Sequence, residues 1–149
     1  MSEIVFSSML SRSFYQDLQN LLFFNMNQGK VAADLVRIVE RYGAPRIKVV
    51  DDRLRVVTDS LTPVQTLFVL DGEGSAARLI GIIVYTREGD TLTVLYCAVL
   101  QDYCASRSEA EQPLFLRIVS ELCKVGRRIK GVGSITVFLR GTTRRLEIR

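Results

Sequence analysis

The stretch TLFVLDGEGSAARLIGIIVYTREGDTLTVLYCAVLQDY, residues 66–103, decides the fold. Apolar runs at 66–70, 78–86 and 91–99 are separated by Asp71-Gly72 and by Gly89-Asp90, the residue pairs that tight turns favour. β-Branched and aromatic side chains dominate each run, and all are far shorter than the roughly 20 residues a membrane-spanning helix needs. Three strands in an antiparallel meander are predicted. Within 91–99, strict alternation sets Leu92, Val94, Tyr96 and Ala98 on one face and Thr93, Leu95, Cys97 and Val99 on the other.

Upstream the period is that of helices. Ser13 stands three residues before Gln16, a capping-box spacing, and Phe14, Leu18, Leu21 and Leu22 form a stripe running towards Asn27 and Gly29. Val31, Leu35, Ile38, Val39 and Tyr42 trace a second stripe, terminated by Gly43 and Pro45. From Arg46 the period becomes two, with Ile47, Val49, Leu54 and Val56 alternating against charges around Asp51-Asp52, which predicts a hairpin. Downstream, Leu114 or Phe115, Ile118, Val119, Leu122 and Val125 predict a helix stopped by Gly126. A strand over 134–139 follows, and Leu146-Glu147-Ile148 is expected to add a last short one. With no repeat or Pro/Ser-rich linker, residues 1–149 are read as a single α+β domain.

Composition narrows the chemistry. Apolar residues make up 48% and charged residues 24% of the 149, a globular composition. Histidine is absent, which removes Ser-His and Cys-His nucleophile pairs and every histidine-containing zinc set. Cys97, Cys104 and Cys123 lack CxxC spacing, so no metal is expected, and together with an amino terminus unlike a secretory signal they fit a reducing cytoplasm. The net charge is +4, with 11 basic and 14 acidic side chains in residues 1–112 against 9 and 2 in residues 113–149. Lys124, Arg127, Arg128, Lys130, Arg140, Arg144, Arg145 and Arg149 are read as a solvated surface, a helix-end counter-charge or a contact for an acidic partner. Without interleaved aromatics or a known motif, nucleic acid is not expected.

The order of elements, the Leu79-Ile80-Gly81 segment, and Val99-Leu100-Gln101-Asp102-Tyr103, which is similar to a V-x-P-x-Y strand ending with Gln101 at the proline place, give the chain its likeness. It resembles the GCN5-related N-acetyltransferase superfamily over about half its length, up to Leu139. The resemblance implies a central, mainly antiparallel sheet flanked by helices. It also implies acetyl-CoA or another acyl-CoA as cofactor, and acyl transfer from the thioester to an amine whose identity the sequence does not give. Backbone groups near Ala98 and Val99 would pair with pantetheine. In that family a glycine-rich loop then binds the pyrophosphate at a helix N-terminus. Here Cys104 takes the place of its leading arginine, and Ala105, Arg107 and Glu109 take the glycine places, so Arg107 and Ser108 are the residues expected to face phosphate. Arg107 suits forked phosphate contacts, whereas Glu109 opposes them. Ser108 and Glu111 also have capping-box spacing and would occupy the same N–H groups.

Neither face of 91–99 offers a carboxylate base, and about ten residues follow the 134–139 strand, too few for the later helix that often brings a tyrosine general acid in that family. The alternative expectation is therefore a non-catalytic binding or assembly module that keeps the scaffold and has lost the coenzyme site. Tyr96 and Tyr103 read as packing residues before acids, Cys97 and Cys123 as small buried hydrophobes, and Cys104 as a loop thiol. A strand at 134–139 lacking further neighbours is an exposed edge, to be covered by the last short strand or by a second subunit, and a homodimer through this region is the expectation.

Overall fold

A computed structural model describes residues 3–23, 39–59, 63–72, 74–100, 114–139 and 142–149. The fold is α+β, built on a mixed six-stranded sheet. Its strands are β1 (Ile4–Ser7), β4 (Gln65–Asp71), β5 (Arg78–Glu88), β6 (Thr91–Val99), β7 (Ser134–Leu139) and β8 (Thr142–Glu147), side by side in that order. All neighbours are antiparallel except β6 and β7, which run parallel. Parallel neighbours need a crossover, and α2 (Leu114–Arg128) lies between them in the chain. A separate hairpin joins β2 (Pro45–Val50) to β3 (Arg53–Thr58). Its turn residues Asp51 and Asp52 have φ of 53° and 61°, the left-handed pair that a two-residue hairpin turn demands.

Two apolar layers sandwich the sheet. On one face α2 sets Leu114, Ile118 and Leu122 against Val69, Ile80, Ile83, Leu92, Val94 and Ile135. On the other, Leu18, Leu21 and Leu22 of α1 (Tyr15–Phe23), with Tyr42, Leu54 and Val56, cover Phe68, Ile82, Val84 and Leu95. Fully buried side chains such as Ile118 and Leu18 each contribute roughly 2 kcal/mol by leaving water.

The meander forms as predicted, as do the strand over 134–139 and the helical end at Gly43, whose φ is 88° and whose N–H reaches the Val39 carbonyl at 2.9 Å. Four expectations are corrected. Ser11, not Ser13, is the helix cap: its hydroxyl accepts the Ser13 N–H at 3.4 Å, and a 3-10 turn, Arg12–Phe14, precedes α1. Gly126 does not stop α2, which continues to Arg128. The residue is small because Ile148 packs on it: a Cβ there would lie 2.6 Å from Ile148 Cδ1. The last strand starts at Thr142, not Leu146, and pairs along all of β7 from Ser134↔Glu147 to Leu139↔Thr142, so the β7 edge is covered within the chain.

The fourth correction concerns β6. Its register against β5 passes from Tyr85↔Val94 to Val84↔Tyr96, leaving Leu95 as a bulge. The extra residue resets the alternation. Leu92, Val94, Cys97 and Val99 face α2, while Leu95, Tyr96 and Ala98 face α1. Tyr96 and Ala98 therefore lie on the opposite face from Leu92 and Val94, contrary to simple alternation.

Candidate functional site

The parallel pair is the distinctive feature of the sheet. β6 and β7 are in register only at Thr91↔Ser134, Leu92↔Ile135 and Thr93↔Thr136. Beyond that point β6 continues to Val99 and β7 to Leu139, with no further pairing between them among the described residues. The Leu95 bulge falls just where the strands part, as bulges do where pairing ends. Thr93 through Tyr96 and Val99 are buried, whereas Cys97 and Ala98 between them are half-buried.

Of the predicted coenzyme contacts, Ala98 lies opposite Ile82 on the α1 face, and Val99, opposite Gly81, is buried on the α2 face. Gly81 itself lies beneath the crossover helix, and a Cβ there would meet Ile118 Cδ1, Val69 Cβ and the Ala98 carbonyl, each at 3.4 Å. Arg107 and Ser108, like Tyr103, Cys104, Ala105 and Glu109, lie outside the described residues. Cys97 and Cys123 carry no disulfide and pack at the α2 layer half-buried, less covered than the buried hydrophobes expected.

On the α1 face, sequence reading missed a polar cluster. Glu88, at the end of β5, accepts the Tyr42 hydroxyl at 2.8 Å and an Arg41 guanidinium N–H at 2.9 Å, and Arg41 lies over the Tyr42 ring at 5.1 Å from its centroid. Burial alone would raise the Glu88 carboxyl. Hydrogen bonds from Thr93 and Tyr42 and the charge of Arg41 outweigh it, and the net shift is downward. Tyr42 is pushed up to about 12, by burial first and then by its bond to the Glu88 carboxylate. Burial likewise raises Tyr96 to about 12, and its hydroxyl is directed at the Gly43 carbonyl at 3.4 Å. Both phenols are neutral structural donors at ordinary pH. The sequence signal was faint: Arg41-Tyr42 at a helix end and Glu88 at a strand end are 46 residues apart.

At the opposite end of α2, the basic residues have structural work. Arg149 donates to the carbonyls of Arg127 at 3.1 Å, Ile129 at 2.8 Å and Val132, and Arg127 Nε donates to the Ile148 carbonyl at 3.0 Å. Orphan carbonyls at a helix end and the negative end of its dipole both favour such cations. Arg145 lies 3.2 Å from Glu147 and 3.9 Å from Asp90, exposed pairs of small energetic worth.

Among the described residues no cluster of three His, Cys, Asp or Glu is placed to hold a metal ion, and no helix is long and apolar enough to cross a membrane. Comparison with protein families, curated proteins and solved structures gave no match for this chain.

Proposed function

We propose that the chain is an acyl-CoA-binding protein of acetyltransferase-like architecture that transfers an acyl group to an amine. The observation that carries the reading is the parallel pair β6 and β7, joined through α2, in register for three residues and unpaired with each other beyond Thr93 and Thr136. Diverging parallel strands leave a slot in the middle of a sheet, a place where an extended thioester arm can lie. The small side chains of Cys97, Ala98 and Val99 at the far end of β6 fit such an arm, and Ala98 and Val99 would lie alongside it. When bound, the coenzyme supplies the activated acyl carbonyl. The chain supplies the slot and an anchored α1 face, where Tyr42, Glu88 and Arg41 hold the end of a helix against the β5–β6 hairpin.

Isotope-labelled spectra of the full chain during titration with acetyl-CoA test this. Shifts centred on residues 94–99 and 136–139 are expected, with weak affinity because Ala105, Arg107 and Glu109 stand at the glycine places. No shift at millimolar acetyl-CoA, or shifts confined elsewhere, would overturn the reading.

A second reading, a non-catalytic binding module on the same scaffold, is favoured by one observation: the Tyr42 and Tyr96 hydroxyls and the Glu88 carboxylate are all engaged in internal hydrogen bonds. Thiol release from acetyl-CoA with a panel of amines separates the two, since the module binds without turnover.

A further inference from the structure

The β2–β3 hairpin has an unusual charge pattern that net charge along the sequence conceals. Leu54 and Val56 turn into the α1 layer, so their cross-strand partners Val49 and Ile47 share that inner face. The outer face then carries Arg46 and Lys48 on β2 and Arg53 and Arg55 on β3, all exposed. Lys48 and Arg55 are direct cross-strand partners, and like charges so placed destabilise a sheet. No described carboxylate lies within ion-pairing distance of either. Arg46 is paired with Asp59 at 2.8 Å, an exposed contact that competes weakly.

Among the described residues, the same hairpin has one open edge. The far side of β3 is covered: Leu54 N–H reaches the Leu10 carbonyl at 2.9 Å, Arg12 N–H reaches the Asp52 carbonyl at 2.9 Å, and Ser11 bridges Arg53. β2 has β3 as its sole strand partner among the described residues, so alternate residues of β2 present N–H and C=O groups outward. Val49 on the inner face is 43% exposed although its partner Leu54 is 2% exposed, and Ile47 is only partly covered. The apolar layer thus ends one strand short of being covered.

We propose that the outer edge of β2 is a docking site for an extended acidic segment of a partner polypeptide, added as a further strand. Its acidic side chains lie over Arg46 and Lys48, and its alternate apolar side chains lie beside Ile47 and Val49. Main-chain bonds give such strand addition its affinity, and alternating side chains give its specificity. Edge protection accounts for a lysine on β2, but not for Arg53 and Arg55 on the strand behind it. A second copy is a poor occupant, because pairing two β2 edges brings Arg46 and Lys48 of each copy together. A nucleic acid would meet the cations while leaving the strand edge and Val49 uncovered.

The test is fluorescence anisotropy on the full chain with three labelled peptides: one alternating glutamate and valine, one of the same composition in blocks, and the alternating peptide N-methylated on every second residue. A labelled single-stranded oligonucleotide is the fourth probe. The alternating peptide is expected to bind most tightly, more weakly as salt rises, with the block and N-methylated peptides at least about tenfold weaker. Arg46→Glu with Lys48→Glu should weaken it by about tenfold or more while circular dichroism stays unchanged. The N-methyl comparison uses the unaltered chain, so a variant that fails to fold does not blunt the test. Equal binding of the N-methylated peptide, tighter binding of the oligonucleotide, or self-association that the peptide does not compete with would each overturn the proposal.

Discussion

Gly126 illustrates how a single position is constrained by packing rather than by backbone conformation. In an ordinary helix interior, alanine gains up to about 1 kcal/mol over glycine. Here the added Cβ would sit 2.6 Å from Ile148 Cδ1 and 3.5 Å from Leu92 Cδ1 and Val132 Cγ1, and overpacking of a buried site costs typically 1–3 kcal/mol. Gly126→Ala is therefore expected to lower stability by about 1 kcal/mol. Ile148→Val removes the obstructing atom, so adding Gly126→Ala to that variant should raise its stability, as chemical denaturation of the four proteins would reveal. A gain from alanine in both backgrounds would show that this contact does not set the residue. Glu88 makes a second prediction at this scale. Its carboxyl titrates lower in the folded chain than its ordinary value of 4.5, so in acid the unfolded chain takes up the proton first. The stability this contributes is fully present above pH 4.5 and is lost as pH falls through the depressed folded value. Thermal melts of the native chain should thus fall more steeply below pH 4.5 than those of Glu88→Gln. Parallel acid limbs would remove Glu88 from the account.

At the scale of elements, much of the chain was legible because burial imposes a period. The strands over 91–99 and 134–139 coincide with their apolar runs, and the α2 stripe of Leu114, Ile118 and Leu122 faces the sheet as read. The Leu95 bulge was not legible, because an inserted residue in an all-apolar run leaves no polar residue out of phase. That miss matters for the site, since it reverses the faces of Tyr96 and Ala98 relative to Leu92 and Val94. Helix ends were misread where tertiary contacts override local signals: Gly126 lies within α2 under Ile148, and three carbonyls near the helix end are taken by Arg149. The bulge also gives a prediction. Deleting Leu95 restores a regular ladder with every remaining residue of β6 on its native face, whereas Leu95→Ala keeps the bulge and only empties part of a buried site, a loss of about 2–5 kcal/mol. Both variants should therefore keep cooperative unfolding, as followed by near-ultraviolet circular dichroism. A deletion variant without a cooperative transition would mean that the bulge itself is needed to shape β6.

For the whole molecule, the two ends of the sheet follow different rules. β1 closes one side with four residues, and β8 closes the other with Arg144 and Arg145 exposed along it. The sequence put the surplus of cations in the last quarter and offered two fates for β7, cover within the chain or, the one expected, a second subunit. β8 takes the first, pairing with β7 from end to end, and Ile148 just beyond it enters the α2 layer. Shielding of β7 and completion of the core are therefore the task of one short segment. A chain ending at Arg140 would expose the backbone edge of β7 together with the space left by Ile148, while losing Arg144, Arg145 and Arg149, whose repulsion opposes contact between copies. Light scattering should find that the shortened chain associates as its concentration rises, whereas the intact chain does not associate through this edge. Adding a synthetic peptide of residues 142–149 supplies the missing strand in trans and should return the shortened chain to the monomer mass. Insensitivity to the peptide, or a shortened chain that stays monomeric and folded throughout, would show that β8 is not what keeps β7 from pairing with its own kind.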